Sequence, residues 1–248
     1  MTTIDLNCDL GEGAGHDAEL MPLITSANIA CGVHAGDHAT MIGTIEMAAA
    51  AGVSIGAHPG LDDRLGMGRR DLPLTPATAA DLVATQVGEL SQIAQLRGAR
   101  VTYVKPHGAL YNRASRDYAI ADAIAKTVRS INPALALFGL AGGELLRAGR
   151  ARGLRVASEV FADRTYQPDG SLTPRGSDDA FITTEAEAVG QVMRIVREGL
   201  VRATDGSDVQ VTADTVCLHG DGAQALAFAW RLRAELAAAG IAARSFTG

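Results

Sequence analysis

Residues 27–38 read Ala-Asn-Ile-Ala-Cys-Gly-Val-His-Ala-Gly-Asp-His, and the order in which residue types change along them decides the fold. Ala27 to Cys31 is short and apolar enough for a buried strand, and Gly32 breaks it. Asp37, an N-cap by residue type, opens a run with Met41, Ile42, Ile45, Met47 and Ala48 at helical spacing. This predicts a helix to about Ala51, stopped by Gly52. Strand, polar turn and helix in that order place Asn28, His34 and Asp37 at or near a strand's C-terminal edge, where parallel α/β folds build their sites. His34 and His38 are four apart, but His34 precedes the cap, so a helical metal pair is not expected and His38 belongs on an exposed first turn.

The same grammar recurs along the chain. Ile4 to Asn7 ends in Cys8-Asp9-Leu10-Gly11-Glu12, Val53 to Ala57 in His58-Pro59-Gly60, and Val101 to Val104 in Lys105-Pro106-His107-Gly108. Leu135 to Leu140 runs into Ala141-Gly142-Gly143, Arg155 to Val160 into Phe161-Ala162-Asp163-Arg164, and Thr215 to Leu218 into His219-Gly220-Asp221. Further helices are expected at Asp17–Ile24, from Pro76 after the cap Thr75 to about Leu96, at Asp117–Ser130 and Glu144–Arg152, from Thr184 to Glu198, and at Ala223–Ala239. Seven strand-then-helix units imply right-handed crossovers and a parallel sheet. An open sheet gathers its site at one switch point, whereas a barrel draws on all its strands. Five of the six histidines lie at or just past these edges, so the expectation is one domain over residues 1–248, a seven-stranded, incomplete (β/α) barrel.

Size and composition agree. The 248 residues suffice for one large domain, and 47% hydrophobic with 20% charged residues is a globular composition. The net charge of −6 and the lack of a basic run argue against a nucleic-acid partner. No apolar stretch approaches the roughly 18 residues of a membrane span, and no signal peptide is visible. Cys8, Cys31 and Cys217 are odd in number and form no CxxC pair, so neither a disulfide framework nor a structural zinc site is indicated, and a cytoplasmic location is expected.

The strand exits carry the candidate chemistry. Asp9 and Glu12, three apart on a Gly-rich loop, suit a base or magnesium ligands, or else only a solvated loop. The long loop from His58 to Asp71 offers Arg69 and Arg70 as an anion clamp, with pairing to Asp62, Asp63 or Asp71 as the competing reading for at least one of them. Lys105 and His107, two apart on an extended segment, point the same way and suit a cation beside a proton carrier. Gly142-Gly143 at a helix start suits a phosphate, or simply close packing. Glu159 and Asp163 are acid–base or magnesium candidates, Arg164 and Arg175 anion candidates, and His219 with Asp221 a proton relay. No GxxxxGK[ST] loop exists, so any use of ATP is not of the P-loop type.

Together these motifs closely resemble the LamB/YcsF family. The matching pieces are Asn7 to Glu12, Ser26 to Asp37, Gly56 to Gly60, Gly68-Arg69-Arg70, Val104 to Tyr111, Glu159 to Arg164 and Cys217 to Asp221, in order over almost the whole chain. The resemblance implies the barrel of glycoside hydrolases and polysaccharide deacetylases. It implies ATP-dependent opening of 5-oxo-L-proline to L-glutamate, with two partner subunits, B and C. Such a site needs cations for phosphate (Lys105, Arg69, Arg164), carboxylate-held magnesium (Asp9, Glu12 or Asp163) and a base for water (His58, His107 or His219). The sequence departs from the family pattern in a shorter loop after Glu12, in Met67 for the usual aromatic, in His38 where Pro is common, and in Gly222-Ala223 after Asp221. Two other readings compete: a metal-dependent deacetylase or amidohydrolase without ATP, with Asp9, His34 and His58 as ligands, and a non-catalytic substrate-binding subunit.

Overall fold

Seven parallel strands close on themselves. They are β1 (Thr3–Leu10), β2 (Ser26–Ala30), β3 (Ser54–His58), β4 (Val101–Val104), β5 (Ala136–Leu140), β6 (Arg155–Phe161) and, after a short antiparallel ribbon of β7 (Leu200–Arg202) and β8 (Asp208–Gln210), β9 (Thr215–Leu218). Neighbours pair in that order, and β9 pairs with both β6 and β1, which closes the barrel. A two-residue strand, β10 (Ala242–Ala243), adds to the start of β1. This computed structural model describes residues 2–218 and 225–248.

The connecting helices are α1 (Asp17–Leu20), α2 (His38–Ala51), α3 (Pro76–Leu96), α4 (Gly108–Arg116), α5 (Tyr118–Ile131), α6 (Glu144–Ala151), α7 (Glu185–Glu198) and α8 (Ala225–Ala238). Their starts follow the cap rules. Thr75 and Thr78 form a reciprocal capping box with Pro76 inside it, Asp117 accepts from Ala119 and Ile120 N–H, and Thr184 accepts from Glu187 N–H. Asp37 likewise caps α2 by accepting from Thr40 N–H, and both Asp37 and His38 are exposed. The described residues contain no helix long and apolar enough to cross a membrane.

Alternation along the strands separates two interiors. On β1, Ile4, Leu6, Cys8 and Leu10 join the large apolar core between strands and helices. Asp5, Asn7 and Asp9, on the other face, turn into the barrel. The floor of the lumen is aromatic: Tyr103 stacks on Phe138 at 4.1 Å between centroids, and Phe246 meets Phe138 edge-on. Gly56 makes room for this layer, because a Cβ there would lie 2.1 Å from the Tyr103 ring. Beneath it, Asp5 accepts from the hydroxyls of Thr25, Ser26 and Thr215 at 2.6–2.7 Å. Above it the lumen is polar, and that is where the strand exits deliver their side chains.

Candidate active site

A buried ammonium organises the lumen. Lys105, just past β4, lies 3.0 Å from Asn7 Oδ1, 3.0 Å from Asp9 Oδ1, 2.8 Å from Glu159 Oε1 and 3.1 Å from Cys217 Sγ. These contacts cross the barrel from β4 to β1, β6 and β9. Burial alone would push the lysine pKa down; Asp9, Cys217 and Glu159 outweigh it, and it lies well above the ordinary value. Asn28 donates to Asn7 Oδ1 at 2.7 Å and to Asp9 Oδ1 at 2.8 Å, and its own Oδ1 accepts from the Tyr103 hydroxyl at 2.7 Å. Asn7 completes the network by donating to Glu159 and Thr215.

Above this base sits a group of imidazoles and carboxylates. His58, the last residue of β3, hydrogen-bonds the Lys105 carbonyl through Nδ1 at 2.8 Å. His107, the N-cap residue of α4, hydrogen-bonds the Met67 carbonyl through Nε2 at 2.8 Å. Their remaining nitrogens, His58 Nε2 and His107 Nδ1, are 2.9 Å apart. Glu12 Oε1 is 3.2 Å from His107 Nδ1, 3.8 Å from His58 Nε2 and 3.3 Å from His34 Nε2, and Asp9 Oδ2 is 3.3 Å from His58 Nε2. Burial, followed by the neighbouring His58 and His34, pushes the His107 pKa well below the ordinary imidazole value, so its ring is neutral near pH 7. Burial raises the Glu12 pKa, but the His34 hydrogen bond and nearby His107 more than offset it and the carboxyl titrates below its usual range.

The loop between β3 and α3 roofs one side of this group. His34 stacks on His107 at 4.0 Å with the rings 5° from parallel, and Gly68 lies against both. With φ +64° and a Cβ that would fall 2.9 Å from His34 Cβ, position 68 has no room for a side chain.

A profile of the LamB/YcsF family matches residues 4–248 of this sequence. The chain belongs to the LamB/YcsF family. A relative from Bacillus licheniformis, named as the A subunit of 5-oxoprolinase, is 54% identical over 252 residues, covering 100% of both chains. The crystal structure of a lactam utilization protein from Thermus thermophilus superposes with a TM-score of 0.91 at 42% identity, over 99% of this chain and 100% of that one. Peptidoglycan deacetylase PdaC from Bacillus subtilis shares the fold at a TM-score of 0.52 and 12% identity, over 99% of this chain and 88% of the other.

In this LamB/YcsF chain, Asp9, Glu12, Asn28, His34, His58, Lys105, His107 and Glu159 come together as one site. Several expected roles change. Lys105 does not reach for a phosphate, because its three N–H bonds face the four acceptors named above. His34 is not in the converging set of ligand atoms; it supports Glu12 and stacks on His107. Asp163 is also outside that set, so the described carboxylates that converge are Asp9 and Glu12. Asp37 is a helix cap remote in role from substrate. Arg70 pairs with Asp63, whose carboxyl its hydrogen bonds hold below the usual range, and the pair fixes the loop. His219 and Asp221 lie outside the described residues.

Beside the cluster opens a cleft of about 740 Å³ lined by Arg69, Arg116, Arg164 and Arg175, with Gly142 and Gly143 at its edge. Gly143 N–H already donates to the Leu140 carbonyl, so the glycine pair is first of all a tight turn. Arg164 is buried, donates to the carbonyls of Ala180 and Thr173, and lies with Arg175 against the Phe181 ring. Burial and the Arg175 charge push its pKa down to about 10. A small recess of about 30 Å³, lined by Asp9, His58, His107, Arg164 and Arg175 among others, links cleft and cluster. Asn7, Tyr103 and Cys217 were not among the expected site residues. Their signal is the period of two: each lies two residues before a position that was expected to act (Asp9, Lys105, His219).

Proposed function

We propose that this chain is the A subunit of an ATP-dependent 5-oxoprolinase and opens the lactam of 5-oxo-L-proline to L-glutamate together with two further subunits. The observation that carries the reading is the junction of two unlike surfaces. A buried imidazole–carboxylate group meets an arginine-lined cleft through one small recess. A five-membered lactam with a carboxylate needs both: acid–base groups at the carbonyl and a cation for the carboxylate. The full-length identity to relatives named for that reaction supports the same assignment.

The lactam carbonyl sits at the recess, beside His58, His107 and Glu12. The substrate carboxylate and the nucleotide phosphates take the arginine side, where Arg69 and Arg175 supply fork-shaped donors. ATP supplies activation: a phosphorylated lactam oxygen makes the ring carbon open to water and couples an unfavourable ring opening to phosphate release. The imidazole–carboxylate group, with His107 Nδ1 and Glu12 Oε1 3.2 Å apart, orients the attacking water, whose proton ends on the ring nitrogen released as the amine. Magnesium arrives with the nucleotide, since the converging donor set of this chain includes two imidazoles and hard dications of that size prefer oxygen.

The test is release of ADP and glutamate from 5-oxoproline by the purified chain alone and with the B and C subunits. Glutamate formed only by the full set, and lost with His107→Ala, supports the reading. No ATP-linked turnover in any combination overturns it.

A further inference from the structure

We propose that Asp9, Glu12, His58 and His107 form a binding site for one first-row transition dication, of the zinc, manganese or cobalt kind. The proposal stands on the donor set alone and holds whichever amide the chain acts on.

Hydrogen positions on the two rings follow from their carbonyl partners. A backbone carbonyl accepts and never donates. The Lys105 carbonyl therefore fixes the hydrogen of His58 on Nδ1, and the Met67 carbonyl fixes that of His107 on Nε2. In the neutral rings, His58 Nε2 and His107 Nδ1 are then both lone pairs, and they face each other at 2.9 Å with no hydrogen to share. Glu12 Oε1 and Asp9 Oδ2, which close the group, are acceptors too. Lys105 and Asn28 donate to the other Asp9 oxygen, Oδ1, and leave Oδ2 turned to His58. Four electron pairs thus converge, and a cation at their centre is what such an arrangement satisfies.

Dimensions and charge point the same way. Donors about 2.0–2.1 Å from one ion stand about 2.9 Å apart at octahedral angles and about 3.3 Å apart at tetrahedral ones. The observed separations of 2.9, 3.2, 3.3 and 3.8 Å span those values, and all four ligand atoms lie within 4.8 Å of one another. Lys105 faces the carboxylates of Asp9 and Glu159, and Glu12 faces the imidazoles, so three carboxylates against one ammonium leave two formal negative charges for a dication to balance. Paired imidazole and carboxylate donors suit zinc, manganese or cobalt and disfavour magnesium. The carbonyls behind both imidazoles, and His34 behind Glu12, are the outer hydrogen bonds that orient metal ligands. The recess is lined by Asp9, His58 and His107, so an ion held there with more than four ligands would be reached from the cleft and could polarise a carbonyl or a water.

The experiment uses the full chain, freed of any histidine tag, stripped with chelator and titrated separately with Zn2+, Mn2+, Co2+ and Mg2+ by calorimetry and metal analysis. The expected result is one equivalent of a transition ion, visible d–d absorption for Co2+, and no comparable Mg2+ binding. His58→Gln and His107→Gln should each weaken binding by about 100-fold or more, with the circular dichroism of a folded chain. His16→Gln, at an exposed position, should leave it unchanged. No bound equivalent, or undiminished binding in the double His58→Gln/His107→Gln variant, overturns the proposal. Should the variants fail to fold, anomalous scattering from unmodified crystals grown with Mn2+ or Zn2+ decides: a peak among the four side chains supports the site, and its absence there overturns it. A chain that binds zinc but never acts on 5-oxoproline sinks the proposed function and leaves this site standing; an active chain without metal does the reverse.

Discussion

Lys105 Nζ and Glu159 Oε1 meet at 2.8 Å in the barrel lumen, with both side chains shut off from solvent. Removing one partner of such a pair leaves an uncompensated buried charge, at a cost of about 3–5 kcal/mol. Lys105→Met should therefore lower the melting temperature by several degrees or prevent folding. Adding Glu159→Gln should recover part of the loss, and the double-mutant cycle measures the coupling. A purely additive cycle would show that the two do not act as a pair.

Asp5 gives a pH dependence of defined sign. Burial raises its pKa, and the hydroxyls of Thr215, Thr25 and Ser26 counter that only in part. The folded state thus keeps its proton to higher pH than the unfolded chain, where the carboxyl titrates near about 3.9. Stability from this group is complete below that value and declines as pH rises towards the folded pKa. The stability advantage of the wild type over Asp5→Asn should shrink as pH rises above 4 in denaturant titrations; an advantage that grows contradicts the assignment.

For the proposed reaction, His107→Ala in the reconstituted complex should reduce glutamate formation by about 100-fold or more, the usual scale of a positioned acid–base group. Retention of near-normal kcat removes His107 from the chemistry.

Arg69 and Arg175 are expected to bind rather than react. Alanine at either should raise the KM for 5-oxoproline or ATP by about tenfold, the scale of one charge-assisted hydrogen bond, with a smaller change in kcat. A fall in kcat at constant KM would place the residue at the reacting atoms instead.

Asp37→Ala and Arg70→Ala should separate architecture from chemistry. Each loosens a turn, the first at the start of α2 and the second in the loop roofing the histidines. A modest drop in melting temperature with unchanged KM is expected for Asp37→Ala, read by steady-state kinetics beside thermal unfolding.

The barrel was legible because strand and helix alternate with clear punctuation. All seven barrel strands fall within a few residues of their expected places, and Thr75, Thr184 and Asp37 cap as their residue types suggest. Helix α4 was not foreseen, since Gly108, Asn112 and Ser115 are poor helix formers and only burial of Leu110, Tyr111 and Ala114 holds it. The ribbon of β7 and β8 is too short for an alternating pattern to register. Of the histidines at strand exits, His34, His58 and His107 come together in the described structure. Which charges would face the substrate and which would neutralise one another was not readable, because Lys105 finds its partners on β1, β6 and β9, far away in sequence.

His107 is anchored by the main-chain carbonyl of Met67 and by nothing in that residue's side chain. The anchor therefore tolerates drift. The contact asks nothing of the thioether at position 67, so long as the carbonyl keeps its direction. What the position cannot lightly surrender is its backbone shape, left-handed at φ +52°. Asparagine or glycine would pass unnoticed there, whereas a β-branched residue would swing the carbonyl and release the ring. Heredity at this corner of the site is written in torsion angles, and side-chain identity is free to wander around them.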